Sequence, residues 1–493
     1  MDWLQAPDYW LARWVSERLL GAIYLLGFLA AAKQFPALLG EHGLLPAPRF
    51  LRVARFREAP SLFHLYYSDR LLAVVAWTGV ALSALMVLGL PQAGPAWMPM
   101  LAWLTLWALY LSIVNVGQTF YAFGWESLLL EAGFLAIFLG PASTAPPTPI
   151  LWLLRWLVFR VEFGAGLIKI RHDPCWRNLT CLYYHHETQP MPNPLSWYFH
   201  HLPKSIHRLE VLGNHVAQLV IPFGLFAPQP VAGICGAIVV IHQVWLVLSG
   251  NFAWLNWLTL AVALVAFDDR QLGLVLPIQH DGLESPAGWY TAVVLGGTAL
   301  LLVLSYWPAR NLLSRNQVMN FTYNPIHLVN SYGAFGSITR ERHEVILEGT
   351  SDQHPTTATV WKEYEFKGKP GDPRRRPPQV APYHLRLDWL MWFAAMSPSF
   401  ANAWLLPLVV KLLENDQATL ALLRRNPFPE RPPASIRARL MHYRFTTWRE
   451  HRQSGAWWVR QPLGVYLPSV RLDGAGGEQL VAAHGAESRS RRP

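Results

Sequence analysis

Three ionisable residues recur at a spacing of seven in a largely apolar segment: Arg155, Glu162 and Lys169. At 100° per residue, this spacing keeps the three side chains on one face of a helix. A charge exposed to lipid costs about 2.5–3.5 kcal/mol on insertion scales, so we expect this face to point into a bundle or a wet cavity. In a cavity, a desolvated Lys169 is a candidate general base, with Glu162 and Arg155 as polar partners. The alternative is an ion pair that only joins two helices.

The loop that follows this segment is dense in titratable side chains. The candidates for a polar cavity, or for a cap over it, are Arg160, His172, Asp173, His185, His186, Glu187, His215 and His242. Imidazoles and carboxylates are metal ligands, but His185 and His186 are adjacent and lack the i, i+4 spacing of helical zinc sites. We therefore predict no metal site and attribute these residues to hydrogen bonding. The sequence requires no cofactor and identifies none.

Two cysteines and two sequons lie in or near these segments. Cys175 and Cys181 are compatible with a disulfide in an oxidising compartment or with two buried thiols, and the sequence leaves both open. Asn178 and Asn320 each begin an Asn-x-Thr sequon, which matters only in a secretory pathway. The glycine-rich stretch 333–337 lacks the lysine of a phosphate-binding loop. We predict no nucleic-acid partner.

Membrane helices must position these residues. Of 493 residues, 52% are hydrophobic and 15% are charged, which is typical of a multi-pass integral membrane protein. Apolar runs near the length that a bilayer requires fall at 9–32, 71–90, 97–115, 151–170, 211–227, 229–248, 251–267 and 288–306. A shorter run at 125–140 contains Glu126 and Glu131. The predicted fold is a polytopic α-helical membrane bundle of eight or nine spans, followed by a mostly β C-terminal domain.

The apolar runs end at Tyr306, where charged and proline-bearing sequence begins. Segments 343–349, 359–366 and 435–448 are rich in β-branched and aromatic residues and are predicted to be strands. Segments 387–395 and 402–415 are predicted to be helices. The chain is therefore divided into a transmembrane domain at 1–306 with a polar cap loop at 171–210, a mostly β extramembrane domain at 307–470 and a disordered tail at 471–493.

Basic residues are concentrated in two loops, 33–70 and 171–208, whereas loops near 91–96, 141–149 and 228–230 contain no Lys or Arg. With nine spans, both basic loops and the C-terminal domain share one side of the membrane. The positive-inside rule makes that side cytoplasmic, unless the loops are folded and their arginines are paired. The formal net charge of +10 also suits anionic membrane lipids as partners.

Long blocks of the sequence resemble a known family. Residues 155–203 and 323–350 resemble the two most characteristic blocks of the lipase maturation factor family, and 119–136 is similar to that family too. The resemblance implies a multi-span protein that helps secreted lipases reach their assembled, active form. Animal members lie in the endoplasmic reticulum membrane with the C-terminal domain towards the lumen, whereas a bacterial member would lie in the inner membrane. The client-contact candidates are Tyr332, Phe335, Arg340, Arg342 and Glu348.

A more distant resemblance concerns the segment 165–169, which is similar to the Ala-Gly-x-x-Lys segment of vitamin K-dependent γ-glutamyl carboxylases. It implies that Lys169 is the base of a carboxylase-like enzyme acting on a quinol-type, lipid-soluble substrate. The sequence departs from that pattern, because it has one lysine instead of two and no histidine near 125–127. Two hypotheses follow: a non-enzymatic, chaperone-like maturation factor for a client polypeptide such as a lipase, and this enzyme. We prefer the first and leave catalysis open.

Overall fold

The N-terminal part of the chain folds into a bundle of α-helices. The computed structural model describes residues 4–280, 282–472 and 480–482. Helices α1 to α9 are Trp10–Leu39, Ala47–Leu51, Asp69–Leu88, Trp97–Val116, Gln118–Tyr121, Gly124–Ala136, Thr148–Arg171, Pro174–Arg177 and Leu182–Thr188. Helices α10 to α17 are Ser196–His200, Lys204–Leu219, Ile221–Gly224, Val231–Ser249, Leu255–Ala263, Asp269–Gly273, Gly288–Leu304 and Tyr306–Leu313.

Among the described residues, five helical segments are long and apolar enough to cross a membrane: Pro7–Leu39, Asp69–Leu88, Trp97–Val116, Val231–Ser249 and Gly288–Leu313. The predicted number of eight or nine spans is not confirmed, because the other predicted spans form helices that are shorter or more polar. α6 has only 13 residues, and α14 with its following turn forms the short apolar helix Leu255–Ala266. α7 and α11 each contain several charged residues.

The long apolar helices expose much of their surface, as contact with lipid requires. In Gly288–Leu313, which contains α16, only 17% of the most apolar 18-residue stretch is buried, and Leu302 and Val303 are 60% and 72% exposed. In Pro7–Leu39, which contains α1, 61% of such a stretch is buried, because α3, α4, α6 and α14 pack around α1. The bundle is therefore a membrane domain with α1 near its centre.

Where the structure describes it, the C-terminal part contains two antiparallel sheets and four α-helices. Strands β1 to β7 are Arg342–Thr350, Lys362–Glu363, Glu365–Phe366, Leu423–Arg425, Ser435–Phe445, Trp458–Leu472 and Leu480–Ala482, and helices α18 to α21 are Arg386–Met396, Leu405–Leu413, Gln417–Leu420 and Trp448–Ser454. The larger sheet has the order β2-β1-β5-β6-β7, and the smaller sheet pairs β3 with β4. α18 packs on β1, and α19 packs on β5 and β6. The presence of sheets is confirmed, and the predicted helices 387–395 and 402–415 correspond to α18 and α19. The predicted strands 343–349 and 435–448 correspond to β1 and β5, whereas 359–366 forms only the short strands β2 and β3, which belong to different sheets.

One hydrophobic core joins the bundle to the C-terminal part, running from Leu20 in α1 to Ala438 in β5. At the junction, the rings of Trp125 in α6 and Trp389 in α18 are 4.8 Å apart between centroids. The domain boundary predicted between 306 and 307 falls at the start of α17, and the division of the chain into domains stays a prediction. The predicted disordered tail, 471–493, lies outside the described residues except for 471–472 and β7.

Candidate functional site

The three residues of the seven-spaced face are sheltered from lipid. Glu162 is 0% exposed, and Arg155 and Lys169 are each 5% exposed. α7 is enclosed because α6, α11, α14 and α16 pack around it. A β-carbon added at Gly164 would lie 2.5 Å from the backbone carbonyl oxygen of Tyr332, so the glycine permits this close approach. The prediction that this face points into the bundle is confirmed.

Glu162 and Lys169 belong to one hydrogen-bonded network inside the bundle. Lys169 Nζ donates to Asn214 Oδ1 at 3.0 Å and to Gln218 Oε1 at 2.9 Å. Gln218 Nε2 donates to Glu162 Oε2 at 3.1 Å, so a single glutamine bridges the ammonium and the carboxylate. Asn214 and Gln218 are one turn apart on α11 and therefore present their amides to α7 together.

Helices α13 and α14 cover the other side of Glu162. Gln243 in α13 donates to the Glu162 carboxylate, and Asn256 in α14 donates to Gln243 Oε1 at 2.6 Å. His242 Nδ1 lies 3.6 Å from Glu162 Oε2, and His242 Nε2 lies 3.2 Å from Asn214 Oδ1. The network thus joins α7, α11, α13 and α14 around one buried carboxylate.

Arg155 and His215 make their contacts outside this network. Arg155 Nε donates to the Val265 carbonyl oxygen at 3.2 Å, and its guanidinium carbon lies 5.1 Å from the centroid of the Tyr9 ring. His215 Nε2 lies 3.0 Å from the carbonyl oxygen of Trp176, which is in the cap.

A second buried charge pair fixes a loop of the C-terminal half to the bundle. Arg160 in α7 donates to both carboxylate oxygens of Glu131 in α6, and its Nη1 donates to the Asn330 carbonyl oxygen at 2.7 Å. Glu131 also accepts hydrogen bonds from the Asn330 backbone N–H at 2.9 Å and from the Tyr332 hydroxyl at 2.7 Å. Donors from one helix and one loop therefore compensate this carboxylate.

A third pair anchors the start of α18. Arg386 Nη1 donates to Glu126 Oε1 at 2.7 Å, and its guanidinium carbon lies 3.4 Å from the centroid of the Tyr121 ring. His384 Nδ1 lies 3.5 Å from Glu126 Oε1. Burial and the nearby Arg386 charge lower the pKa of His384 to about 4, so this imidazole is neutral at pH 7.

The cap begins with a disulfide and a charged anchor. Cys175 and Cys181 are disulfide-bonded, which is one of the two alternatives that the sequence left open. Asp173 accepts hydrogen bonds from the Cys175 N–H at 3.0 Å, the Ile338 N–H at 3.1 Å and Arg340 Nη2 at 2.8 Å. Burial opposes ionisation of Asp173, but these hydrogen bonds outweigh it and lower the pKa of this carboxyl.

The middle of the cap is tied to the larger sheet. Arg342 in β1 donates to the carbonyl oxygens of Glu187 at 3.0 Å and Gln189 at 2.5 Å, and it pairs with Glu344 at 2.6 Å from Nη2 to Oε1. The Glu187 carboxylate accepts a hydrogen bond from the Phe445 N–H at 2.5 Å. Burial nevertheless raises the pKa of Glu187 to about 7.

The histidines of the cap differ in their surroundings. His172 is exposed, and its Nδ1 lies 3.1 Å from a backbone carbonyl oxygen one turn earlier. His185 is 8% exposed and lies between Phe252 and Phe335, with ring centroids 6.1 and 5.0 Å away. His186 is 2% exposed, and neither of its ring nitrogens has a hydrogen-bond partner.

The five predicted client-contact residues also differ in exposure. Arg340 is exposed and Phe335 is half-buried. Tyr332, Arg342 and Glu348 are 4%, 1% and 6% exposed, and each makes hydrogen bonds inside the protein. In this structure a client could touch Arg340 directly, whereas the three buried residues hold the segments that form the surface. Their role in client contact stays a prediction.

Sequence reasoning missed the partners that complete these sites. Asn214 and Gln218 lie in the apolar run 211–227 and Gln243 lies in the run 229–248, and a polar residue in an apolar run is expected to face the interior. The i, i+4 spacing of Asn214 and Gln218 was therefore a usable signal. For Arg386 the sequence contains no such signal, because 260 residues separate it from its partner Glu126.

The fold and these sites define a class: an integral membrane protein whose C-terminal part is locked onto its bundle. Buried carboxylates at Glu126, Glu131 and Glu162 each join elements that are distant in the sequence. In this arrangement the three carboxylates hold these elements together, because hydrogen bonds from the neighbouring elements compensate each buried charge.

The chain belongs to the lipase maturation factor family. The model of the lipase maturation factor transmembrane domain matches residues 11–274, and the model of the lipase maturation factor C-terminal domain matches residues 328–468. The family prediction made from the sequence blocks is thereby confirmed.

Relatives in animals are similar over nearly the whole chain. Lipase maturation factor 1 of Bos taurus is 44% identical over 509 residues, covering 95% of this chain and 90% of the relative. Lipase maturation factor 1 of Homo sapiens is 43% identical over 510 residues, covering 95% and 89%. Lipase maturation factor 2 of Rattus norvegicus is 30% identical over 612 residues, covering 96% and 84%.

No solved structure is significantly similar to this chain. The resemblance to γ-glutamyl carboxylases finds no support among the similar proteins, which are lipase maturation factors. The carboxylase-like hypothesis for Lys169 is likewise unsupported. In the structure, the Lys169 ammonium is engaged by two amide oxygens of α11.

Proposed function

We propose that this chain is a membrane-embedded maturation factor that assists the folding or assembly of secreted lipases or of other exported proteins. The observation that carries the proposal is the 44% identity to lipase maturation factor 1 of Bos taurus across 95% of the chain. That similarity includes both the bundle and the C-terminal part. In this proposal the chain acts by binding a client polypeptide, and the ion pairs Glu131–Arg160 and Glu126–Arg386 help to keep the client-binding part in a fixed position on the membrane domain.

A groove between the start of β1 and α18 is the surface that best fits a client polypeptide. Its cavity of about 390 Å³ is lined by Thr188, Thr339, Arg340, Glu341, Arg342, His343, Trp392, Ala395 and Met396. Met396 is 47% exposed and, with Trp392, gives the groove an apolar side opposite its charged one. Methionine, tryptophan and arginine are enriched where proteins bind polypeptides. The predicted client-contact residue Arg340 lies in this groove.

A substitution at the rim of the groove tests this assignment. Met396→Asp adds a charge that a bound apolar segment would have to desolvate, so we expect a several-fold lower activity per mole of a co-expressed secreted lipase. Val360→Asp is the matched control, because Val360 is 74% exposed and does not line the groove. Both variants should reach wild-type levels in the membrane. Wild-type lipase activity with Met396→Asp, or an equal loss with Val360→Asp, contradicts the groove assignment.

We also propose that nine helices cross the membrane. These are α1, α3, α4, α6, α7, α11, α13, α14 and α16, running alternately between two ends of the bundle. At one end, Arg13 in α1 donates to the Thr144 carbonyl oxygen, shortly before α7 begins. At the other end, Gln34 in α1 donates to the His384 carbonyl oxygen. These contacts support opposite directions for successive helices, and neighbouring helices would shield the shorter and more polar ones from lipid.

The cap and the C-terminal part are proposed to face the oxidising side of the membrane. The Cys175–Cys181 disulfide supports this orientation, because disulfides persist in the periplasm and the endoplasmic reticulum lumen. The charge pattern predicted the opposite side. Arg171, one of the arginines in that count, donates to backbone carbonyls of residues 312 and 314 and is therefore bound within the fold. A bacterial chain would lie in the inner membrane, and its animal relatives in that of the endoplasmic reticulum.

Asn178 is a natural reporter of this orientation. It is exposed beside the disulfide and begins a glycosylation sequon. When the chain is expressed in cells with an endoplasmic reticulum, we expect glycans that an endoglycosidase removes. Asn178→Gln should remove the glycan of this sequon, and the double variant with Asn320→Gln should abolish glycosylation, because Asn320 begins a second sequon on the same side. A sequon inserted into the loop 141–149 serves as the control for the other side. Modification of that sequon in place of Asn178 contradicts the proposed orientation.

A further inference from the structure

Three metal-ligating side chains meet where the cap packs on α11. They are His186 in α9 and His207 and Glu210 in α11, and one ligand atom from each lies within 4.8 Å of the others. His186 and His207 are each 2% exposed, and the side chain of Glu210 is 8% exposed. The i, i+3 spacing of His207 and Glu210 puts both on the same face of α11, turned to the cap.

His186 is the first sign that this cluster is incomplete. Both of its ring nitrogens are buried and lack a hydrogen-bond partner. Its ring centroid lies 5.6 Å from that of His207, so the two imidazoles are neighbours. A buried imidazole without any partner is costly, and such groups in a folded protein commonly indicate an ion or a water that completes them.

The hydrogen bonds of His207 give an independent second sign. His207 Nε2 lies 3.3 Å from the carbonyl oxygen of His200, a contact in which only an N–H can take part favourably. His207 Nδ1 lies 2.9 Å from Glu210 Oε2. An imidazole nitrogen and a carboxylate oxygen therefore lie side by side, within reach of the unpartnered His186 ring, and the Nε2 contact with a carbonyl oxygen is the outer-shell hydrogen bond typical of metal-binding histidines.

We propose that His186, His207 and Glu210 form a binding site for one divalent transition metal ion of the zinc class. Two imidazole nitrogens and one carboxylate oxygen are a donor set that zinc accepts, and three protein ligands leave a fourth position for water. In a tetrahedral zinc site, ligand atoms are about 3.3 Å apart, from bonds near 2.0–2.1 Å, so side-chain movements of about 1–2 Å would close the triad around the ion. The sequence pattern of adjacent histidines did not reveal the site, because His207 and Glu210 come from the next helix.

The ion would cross-link the cap helix α9 to helix α11 of the bundle. His186 belongs to the cap helix α9, and the other two ligands belong to α11. Glu210 Oε1 also accepts a hydrogen bond from Trp245 Nε1 in α13 at 3.1 Å, which orients the carboxylate. The proposed site is thus structural and is independent of the maturation role.

Metal content of the purified full-length chain tests the proposal. The protein carries no polyhistidine tag, is stripped with a chelator without reductant so that the disulfide stays closed, and is titrated with zinc. We expect one tightly bound equivalent per chain and a rise in the thermal unfolding temperature on binding. Cobalt serves as a spectroscopic probe and should give the spectrum of a tetrahedral site that contains nitrogen and oxygen ligands.

Matched variants show whether zinc binding depends on the three proposed ligands. His186→Asn should weaken zinc binding at least tenfold, and Glu210→Gln should do the same. His201→Asn, in the same cap but outside the triad, should keep full stoichiometry. Size-exclusion profiles identify variants that remain folded, and cobalt spectra of the wild type report on the site even where a variant misfolds. No tight zinc in the folded wild type, or unchanged binding in folded His186→Asn, overturns the proposal.

Discussion

At the residue scale, Glu162 and Lys169 are coupled through Gln218 and not by direct contact. Lys169→Met removes the ammonium and leaves two buried amide oxygens without their donor, so we expect a loss of about 3 kcal/mol in unfolding free energy. Glu162→Gln should also destabilise, because it leaves the lysine charge buried. In the double variant the losses should fall short of additivity by about 0.5–3 kcal/mol. Thermal unfolding in detergent measures this cycle, and strict additivity contradicts the bridge.

His384 gives a second residue-scale prediction, on pH. Its pKa is lowered from 6.5 to about 4 in the folded protein. Between these values the unfolded chain binds a proton that the folded chain does not, so stability is full above pH 6.5 and falls as the pH falls towards about 4. Glu187, with a raised pKa of about 7, and Asp388, with a raised pKa of about 6, act in the opposite sense, but they are present in both the wild type and the variant. Relative to the wild type, His384→Asn should therefore flatten the loss of thermal stability between about pH 6.5 and pH 4. An unchanged slope in that variant contradicts the assignment.

At the element scale, the loop 327–332 is held to α6 and α7 through Glu131. Tyr332→Phe removes a hydroxyl that donates to this carboxylate at 2.7 Å, and a hydrogen bond to a charged group contributes about 1.5–3 kcal/mol. Tyr323→Phe is the matched control, because its hydroxyl contacts only the Ser331 hydroxyl at 2.7 Å and should cost about 0.5–1.5 kcal/mol. Equal losses in unfolding free energy, or a larger loss for Tyr323→Phe, contradict the anchor.

At this scale, the sequence predicted the features that depend on neighbouring residues and missed those that depend on contacts between distant segments. The helix of 151–170 and its buried face depended on local periodicity, and both were predicted. The partners of that face lie on other helices, such as Gln218, 56 residues from Glu162. Glu131 was noted as an acid in an apolar run, yet its pairing with Arg160 depends on how α6 packs on α7. Pairings of this kind arise from tertiary packing, which a periodic pattern does not contain.

At the scale of the whole molecule, the membrane class, the C-terminal sheets and the family were predicted, whereas the number of spans was not confirmed. Hydropathy recognises a span by its length and lack of charge, and α7 meets the first condition but not the second. A helix enclosed by others can carry charge because its partners, not lipid, surround it. The side of the membrane stays a prediction, and folded loops weaken charge counting as a guide to it, because an arginine such as Arg171 is bound within the fold.

The central claim for the whole molecule is that it brings a secreted lipase to its active state. The most direct measurement is the activity per mole of a secreted dimeric lipase, together with its dimeric fraction, made in cells that lack their own maturation factor. We predict that expression of this chain raises both quantities several-fold at equal lipase synthesis. Equal activity per mole and an equal dimeric fraction with and without the chain, although it is folded and in the membrane, would contradict the claim.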